Sequence, residues 1–250
     1  MPHYRRDAFA AGLKAAGHSV SVAQPSTFDS DTLYVCWNRY GHFHDICTRV
    51  EQAGGKTIIC ENGYCGRDEN QHQFYALARG GHNGSGEWYV GGPERFAALG
   101  VEVKPWRAAG DKIVIRGQRG IGNPRTASPH EWHSKTANLL RLTTNRTIEI
   151  IQHPGNKAVV DSSHEQYLAG AHALVIWSSS VGVKALVAGI PVFQCSPYWV
   201  CAGAAARGID DIESPLMDDA ARMVALERMA WAQWRLSEIA SGEAFRTLLA

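Results

Sequence analysis

Several absences narrow this 250-residue chain before any motif is read. No apolar run reaches the roughly 18 residues that a membrane-spanning helix needs, so no membrane partner is expected. The opening MPHYRRDAFAAGLKAAGH has no apolar core of a secretory signal, which points to a cytoplasmic protein. None of the six cysteines, at 36, 47, 60, 65, 195 and 201, forms a CxxC pair. That argues against a zinc ribbon or a thioredoxin-like redox motif, and the cysteines read as reduced core residues. A dominant charge is also missing. The net charge of +1 does not support nonspecific coating of nucleic acid. No Gly-Lys-Ser/Thr follows a Gly-rich loop, so there is no Walker A phosphate loop. His42 and His44 with Asp45, and separately His130 and His133, are not completed to a recognised metal-ligand spacing. No internal repeat or low-complexity tail is seen.

What remains is a well-stocked globular chain, 45% hydrophobic and 20% charged. Its charge is uneven. Between Lys104 and Arg146 basic residues far outnumber the acidic pair Asp111 and Glu131, and acidic residues prevail between Asp210 and Glu243. A basic middle in a neutral chain suits an anionic ligand held in one place, and also suits a merely solvated face.

Short β-like runs alternate with helical ones. Residues 7–16 read as helix, 19–22 and 33–37 as strands, 46–52 as helix and 57–60 as a strand closed by Asn62-Gly63. A Gly-rich stretch over 61–92 shows little periodicity and reads as a long loop. A short helix over 93–99 and a connector over 104–110 follow. A second series runs from 112 onward: strand 112–116, helix 129–142 with Ser128 as N-cap, strand 147–152, helix 164–169, strand 173–177, helix 183–188 and strand 191–195. One or two helices over 218–240 close it. Strands alternating with helices predict α/β architecture: two Rossmann-like, doubly wound domains, residues 1–108 and 109–250, with the ligand in a cleft at the strand ends.

Three polar loops stand at strand ends of the second half. Gly117-Gln118-Arg119-Gly120 lets a backbone approach a phosphate closely and offers Arg119, with Arg116 beside it. His153-Pro154-Gly155 offers an imidazole to a ribose or a leaving group. Ser178-Ser179-Ser180 with Gly182 pairs hydroxyls with a helix N-terminus, a ready anion site. A Gly turn or a loop histidine is common in any α/β protein, so the weight rests on the three together.

The run from Gln152 to Phe193 resembles the donor-binding half of GT-B glycosyltransferases, including the sialyl- and Kdo-type capsule transferases. The shared elements are the His153-Pro154 strand end, Ser179-Ser180-Val181-Gly182-Val183-Lys184-Ala185-Leu186, and Gly189-Ile190-Pro191-Val192. Lys184 stands where many such enzymes carry a glutamate that contacts the donor. The segments GHNGSGEWYVGGPERFAALGV and GQRGIGNP resemble short bacteriophage GT-B-like proteins.

That resemblance implies transfer of a sugar from a nucleotide-activated donor to a hydroxyl, with a UDP-sugar as the expected donor and neither a further cofactor nor a metal. The phage likeness implies 5-hydroxymethylcytosine in DNA as acceptor. A cell-surface glycan and a non-catalytic nucleotide-sugar binder are the alternatives. Donor contacts are expected from Gly117, Arg119, Gly120, His153, Ser178, Ser179, Ser180, Gly182 and Lys184. An inverting transferase also needs a general base. Glu61 is the first candidate, His82 the second and Asp68 the third. Tyr64 and Trp88, in the same Gly-rich stretch, are expected to form an acceptor platform that could stack on a flipped base.

Overall fold

The computed structural model describes residues 3–23, 26–107, 109–122, 126–153 and 164–250. The chain divides into two compact units: Met1–Leu99 together with Arg228–Ala250, and Gly100–Glu227. The boundary differs from the expected split at residue 108. The C-terminal segment also joins the first unit, whereas the sequence reading assigned it to the second.

The first unit opens with α1 (His3–Ala15), β1 (Leu33–Trp37), α2 (His42–Gln52), β2 (Lys56–Arg67), β3 (Gln73–Arg79) and the short α3 (Glu94–Ala97). Residues 19–22 are not a strand. The larger correction concerns 61–92. Asn62-Gly63 does not turn the chain. β2 runs through it to Arg67 and pairs antiparallel with β3, with a register shift between Asn62 and Arg67. Gly63 is needed because the strands approach closely there: an added Cβ would lie 2.7 Å from Phe74 Cβ. An Asn-Gly pair reads as a hairpin turn locally, but here it sits in a bulged strand.

The second unit contains β4 (Lys112–Arg116), α4 (Trp132–Leu140), β5 (Thr147–Ile151), α5 (His164–Leu168), β6 (Ala171–Ile176), α6 (Val181–Val187), β7 (Val192–Gln194) and β8 (Ala206–Arg207). Then α7 (Asp219–Ala230) crosses the unit boundary, and β9 (Gln233–Trp234), α8 (Leu236–Ala240) and α9 (Glu243–Leu249) complete the first unit. Helix α4 starts at Trp132 rather than 129, with Glu131 in the left-handed region at its N-cap. The Ser128 hydroxyl donates to the Pro129 carbonyl instead of capping the helix.

The two sheets differ in kind. In the first, ordered β1-β2-β3-β9, only β1 and β2 are parallel. A helix, α2, joins that pair, so it can be parallel. A short turn joins β2 to β3, so they must be antiparallel. The first unit is therefore not a doubly wound parallel domain. The second sheet, ordered β5-β4-β6-β7-β8, is parallel throughout. Its strands follow 2-1-3-4-5 in chain order, a doubly wound arrangement. β6 is buried along its whole length, as a central parallel strand covered on both faces must be.

Separate cores hold the units. Phe9, Leu13, Ile58, Tyr75, Leu77, Trp234 and Phe245 pack the first. Ile113, Ile115, Trp132, Leu140, Val175 and Phe193 pack the second. All six cysteines are free thiols. The Sγ atoms of Cys36 and Cys47 lie 3.7 Å apart in a small third cluster with Ile59.

Candidate functional site

In the second sheet the strand order reverses at β4, which has β5 on one side and β6 on the other. Loops leaving the carboxyl ends of β4 and β6 diverge at such a point and leave a crevice, the usual ligand site of open α/β sheets. Two of the three predicted loops stand on this crevice, and the third starts at the end of β5.

The β4 loop begins at Gly117, whose N–H donates to Ile151 O at 2.9 Å and extends the β4–β5 ladder by one step. Gly120 takes φ +68°, a left-handed conformation that favours glycine. Between them, Gln118 reaches the β6 loop. Its Oε1 accepts the Ser178 N–H at 2.7 Å and its Nε2 donates to Ser178 Oγ at 3.4 Å. In the sequence Gln118 is one residue of a Gly-rich loop with no role assigned to it. Nothing local marks a glutamine that bridges residues sixty positions apart.

Cations gather at the same strand ends. Arg116 is the last residue of β4 and is buried. Its Nη1 donates to Ile151 O at 3.2 Å and Gln152 O at 2.6 Å, and the guanidinium lies over the Tyr167 ring. Its Nε makes no hydrogen bond among the described residues. Arg119 is exposed in the β4 loop, Lys184 is exposed on α6, and His153 follows the end of β5. Partial burial, then the charges of Arg116 and Arg119, hold the His153 imidazole below its ordinary value. By surface area the residue is nevertheless exposed, so its ring can still exchange protons with solvent. Pro154 and Gly155 lie outside the described residues.

The serine turn is not the open amide nest that the sequence suggested. The Val181 N–H donates to Ser179 Oγ at 3.3 Å, Gly182 N–H to Ser179 O at 3.0 Å, and Val183 N–H to Ser180 O at 3.1 Å. The first turn of this seven-residue helix closes on its own preceding residues. Gly182 also proves to be a packing glycine: an added Cβ would lie 2.5 Å from Trp199 Cζ2 and 2.7 Å from Ile176 Cδ1. It makes room for an indole and is not a point of ligand approach. The Ser178 hydroxyl already accepts from Gln118, and the Ser180 hydroxyl makes no hydrogen bond among the described residues.

In the first unit the structure separates the candidates. Glu61 is inside β2, one residue beyond Cys60, where the pairing with β1 ends. Its Oε1 accepts the Tyr64 hydroxyl at 2.8 Å. Asp68 organises the β2–β3 turn: its Oδ1 accepts the N–H groups of Asn70 and His72 at 2.9 and 2.8 Å. A carboxylate committed to that turn is a structural residue. His82 occupies a different turn, where the Ser85 hydroxyl bonds both its N–H and its carbonyl. The ring is buried, and Nδ1 has no hydrogen-bond partner among the described residues.

The expected aromatic platform is absorbed by the core. Tyr64, Phe74 and Tyr75 are buried, and Trp88 packs on the first core with its Nε1 donating to Arg228 O at 3.0 Å. Among the described residues no group of three or more His, Cys, Asp or Glu could hold a metal ion. No helix among them is long and apolar enough to cross a membrane.

No protein-family model matches the chain. No curated protein matches it either. Among solved structures, the fold is similar to that of the Thermosulfurimonas dismutans KpsC beta Kdo 2,7 transferase. The TM-score is 0.55 at 13% identity, over 91% of this chain and 87% of that one. The beta Kdo 2,4 transferase of the same KpsC aligns over 77% of this chain and 78% of that one, with a TM-score of 0.49 at 11% identity. At such identity the first of these likenesses speaks to the fold.

Proposed function

We propose that this chain is a glycosyltransferase in which the second unit holds the phosphate of a nucleotide-activated sugar. The observation that carries the reading is the crevice at β4 and β6. Gln118 ties its two loops together, Arg116 and Arg119 supply positive charge at the same strand ends, and His153 adds an imidazole there. Preorganised cations facing a departing phosphate are what such a transfer needs in place of a metal. The fold shared with a Kdo transferase supports the reading, as does the resemblance of the 152–193 segment to GT-B donor domains.

Within it, Arg119, Lys184 and the Ser178 and Ser180 hydroxyls meet the phosphate, and His153 donates to it. Glu61 is the general base for the acceptor hydroxyl, with Tyr64 fixing one carboxylate oxygen. Asp68 suits that role less well, because its Oδ1 is committed to a turn and its Oδ2 stands 3.5 Å from His72 Nδ1. For the acceptor we favour a glycan hydroxyl over 5-hydroxymethylcytosine in DNA. Of the aromatics that would have stacked on a flipped base, Tyr64 is a core residue and Trp88 is packed against the core with its Nε1 bonded to Arg228 O. A nucleotide-sugar binder without transfer activity would share the second unit's features but would be indifferent to Glu61.

A thermal-stabilisation screen over uridine, cytidine and guanosine nucleotides, with UDP first, tests the donor half. A ligand bound at about 100 times its Kd should stabilise the native state by about 2.7 kcal/mol. No shift with any nucleotide would sink the reading. Incubation of the preferred donor with hydroxymethylated DNA and with oligosaccharides then separates the acceptors.

A further inference from the structure

We infer that the first unit carries a pocket for a single uncharged sugar ring, between α3 and the β9–α8 segment. The cavity measures about 330 Å³ and is lined entirely by residues of that unit. This lies at the small end of ligand sites and suits one ring. Phe74, Ala98, Leu99 and Trp231 give it an apolar wall. Trp231 is fixed in place by its Nε1 donating to Gly92 O at 2.8 Å and by edge contact with Tyr89.

The polar rim divides into committed and available groups. Arg95 is committed: it donates to Ala230 O and Gln233 O at 3.1 and 2.7 Å, and pairs with both Glu238 oxygens at 3.1 and 2.8 Å. Arg235 is held loosely. Among the described residues its Nε makes no hydrogen bond and meets Glu69 as an ion pair at 3.4 Å, its Nη1 stands 3.8 Å from Glu238, and the guanidinium lies over the Phe74 ring. The Glu94 carboxylate is exposed, with no side-chain hydrogen bond or ion pair among the described residues.

The ligand must therefore accept from a guanidinium, donate to a carboxylate and lay an apolar face on the wall. A sugar ring does all three through its hydroxyls and C–H face. Two arginines against two glutamates leave the lining neutral, so it is not built to attract a polyanion such as DNA. This binding needs neither donor nor transfer, so it stands or falls apart from the activity proposed above.

The test labels the intact chain with fluorotryptophan and follows the Trp231 ¹⁹F resonance, assigned with Trp231→Phe, during titration with a panel of methyl pyranosides. The expected result is a saturable shift for at least one glycoside, weakened roughly tenfold in Glu94→Gln, where a charge-assisted hydrogen bond is lost. It should be abolished in Ala98→Leu, which fills the cavity from an exposed position without touching the core. The inference is overturned if no glycoside moves the resonance, if Ala98→Leu leaves the shift intact, or if a single-stranded oligonucleotide moves it where sugars do not.

Discussion

Gln118 and Ser178 face each other across the carboxyl ends of β4 and β6, joined by a 2.7 Å bond from the Ser178 N–H to Gln118 Oε1. Two loops that would otherwise diverge at the reversal of strand order are thereby held in one geometry. Replacing Gln118 with Ala strands a buried N–H and frees both loops. It should cost about 1–3 kcal/mol and weaken nucleotide binding. Glu in its place keeps the acceptor and should restore most of the stability. Chemical denaturation and nucleotide titration of the two variants check this.

Glu61→Gln should lower turnover by about 10²–10⁴-fold, the usual contribution of a general base, and leave donor affinity unchanged. Tyr64→Phe frees the carboxylate oxygen it now bonds at 2.8 Å, loosens the orientation of the base and should lower kcat by less than Glu61→Gln does. Full turnover in Glu61→Gln would remove Glu61 from the reaction.

The His153 imidazole is held below its ordinary value of 6.5. As pH falls the unfolded chain therefore takes up this proton first. The group's contribution to stability is present above about 6.5 and is lost as pH falls through its folded value. A bound phosphate acts the other way and favours the imidazolium. Donor affinity should rise as pH falls from 7.5 towards 5.5, with proton uptake on binding, and His153→Gln should flatten that dependence. Calorimetry in buffers of different ionisation enthalpy measures the uptake directly.

Gly182→Ala sets two effects against each other. Alanine gains about 1 kcal/mol of helix propensity over glycine. Its Cβ, however, would sit 2.5 Å from the Trp199 ring, and overpacking costs about 1–3 kcal/mol. The clash should win, with a fall in Tm and a change in Trp199 fluorescence.

Gln233 is nearly fully buried and stitches β9 to the bulged part of β2: its Oε1 accepts the Tyr64 and Cys65 N–H groups and its Nε2 donates to Cys65 O. Gln233→Ala should destabilise the first unit by at least about 3 kcal/mol, since three backbone groups lose their partner and each buried group left unpaired costs about 1–3. Hydrogen exchange should show the loss in β2 and β3 and spare β4 and β6.

The parallel half was legible because its signals are local. Lys112–Arg116 and Ala171–Ile176 are apolar runs bounded by glycine or serine turns, and such a pattern has few ways to fold. The 61–92 stretch was misread for the opposite reason. Gly63 sits in a strand because Phe74 presses on it from the neighbouring strand, and no window of sequence contains that neighbour. The same limit hid the fate of Trp88, whose partner is the carbonyl of Arg228.

The sequence by itself determined the alternation of strands and helices in residues 112–195, the three polar loops that follow strands, and the basic balance around them. Those depend on periodicity and turn chemistry within a few residues. Tertiary structure alone decided that the C-terminal segment completes the first sheet, that Gln118 clamps Ser178, and that the serine turn spends its own amides. It also drew Glu61 and Tyr64 together while committing Asp68 to a turn. Each of these is a pairing between atoms distant in the chain or a competition among hydrogen-bond partners. Only the packed fold brings the competitors within reach.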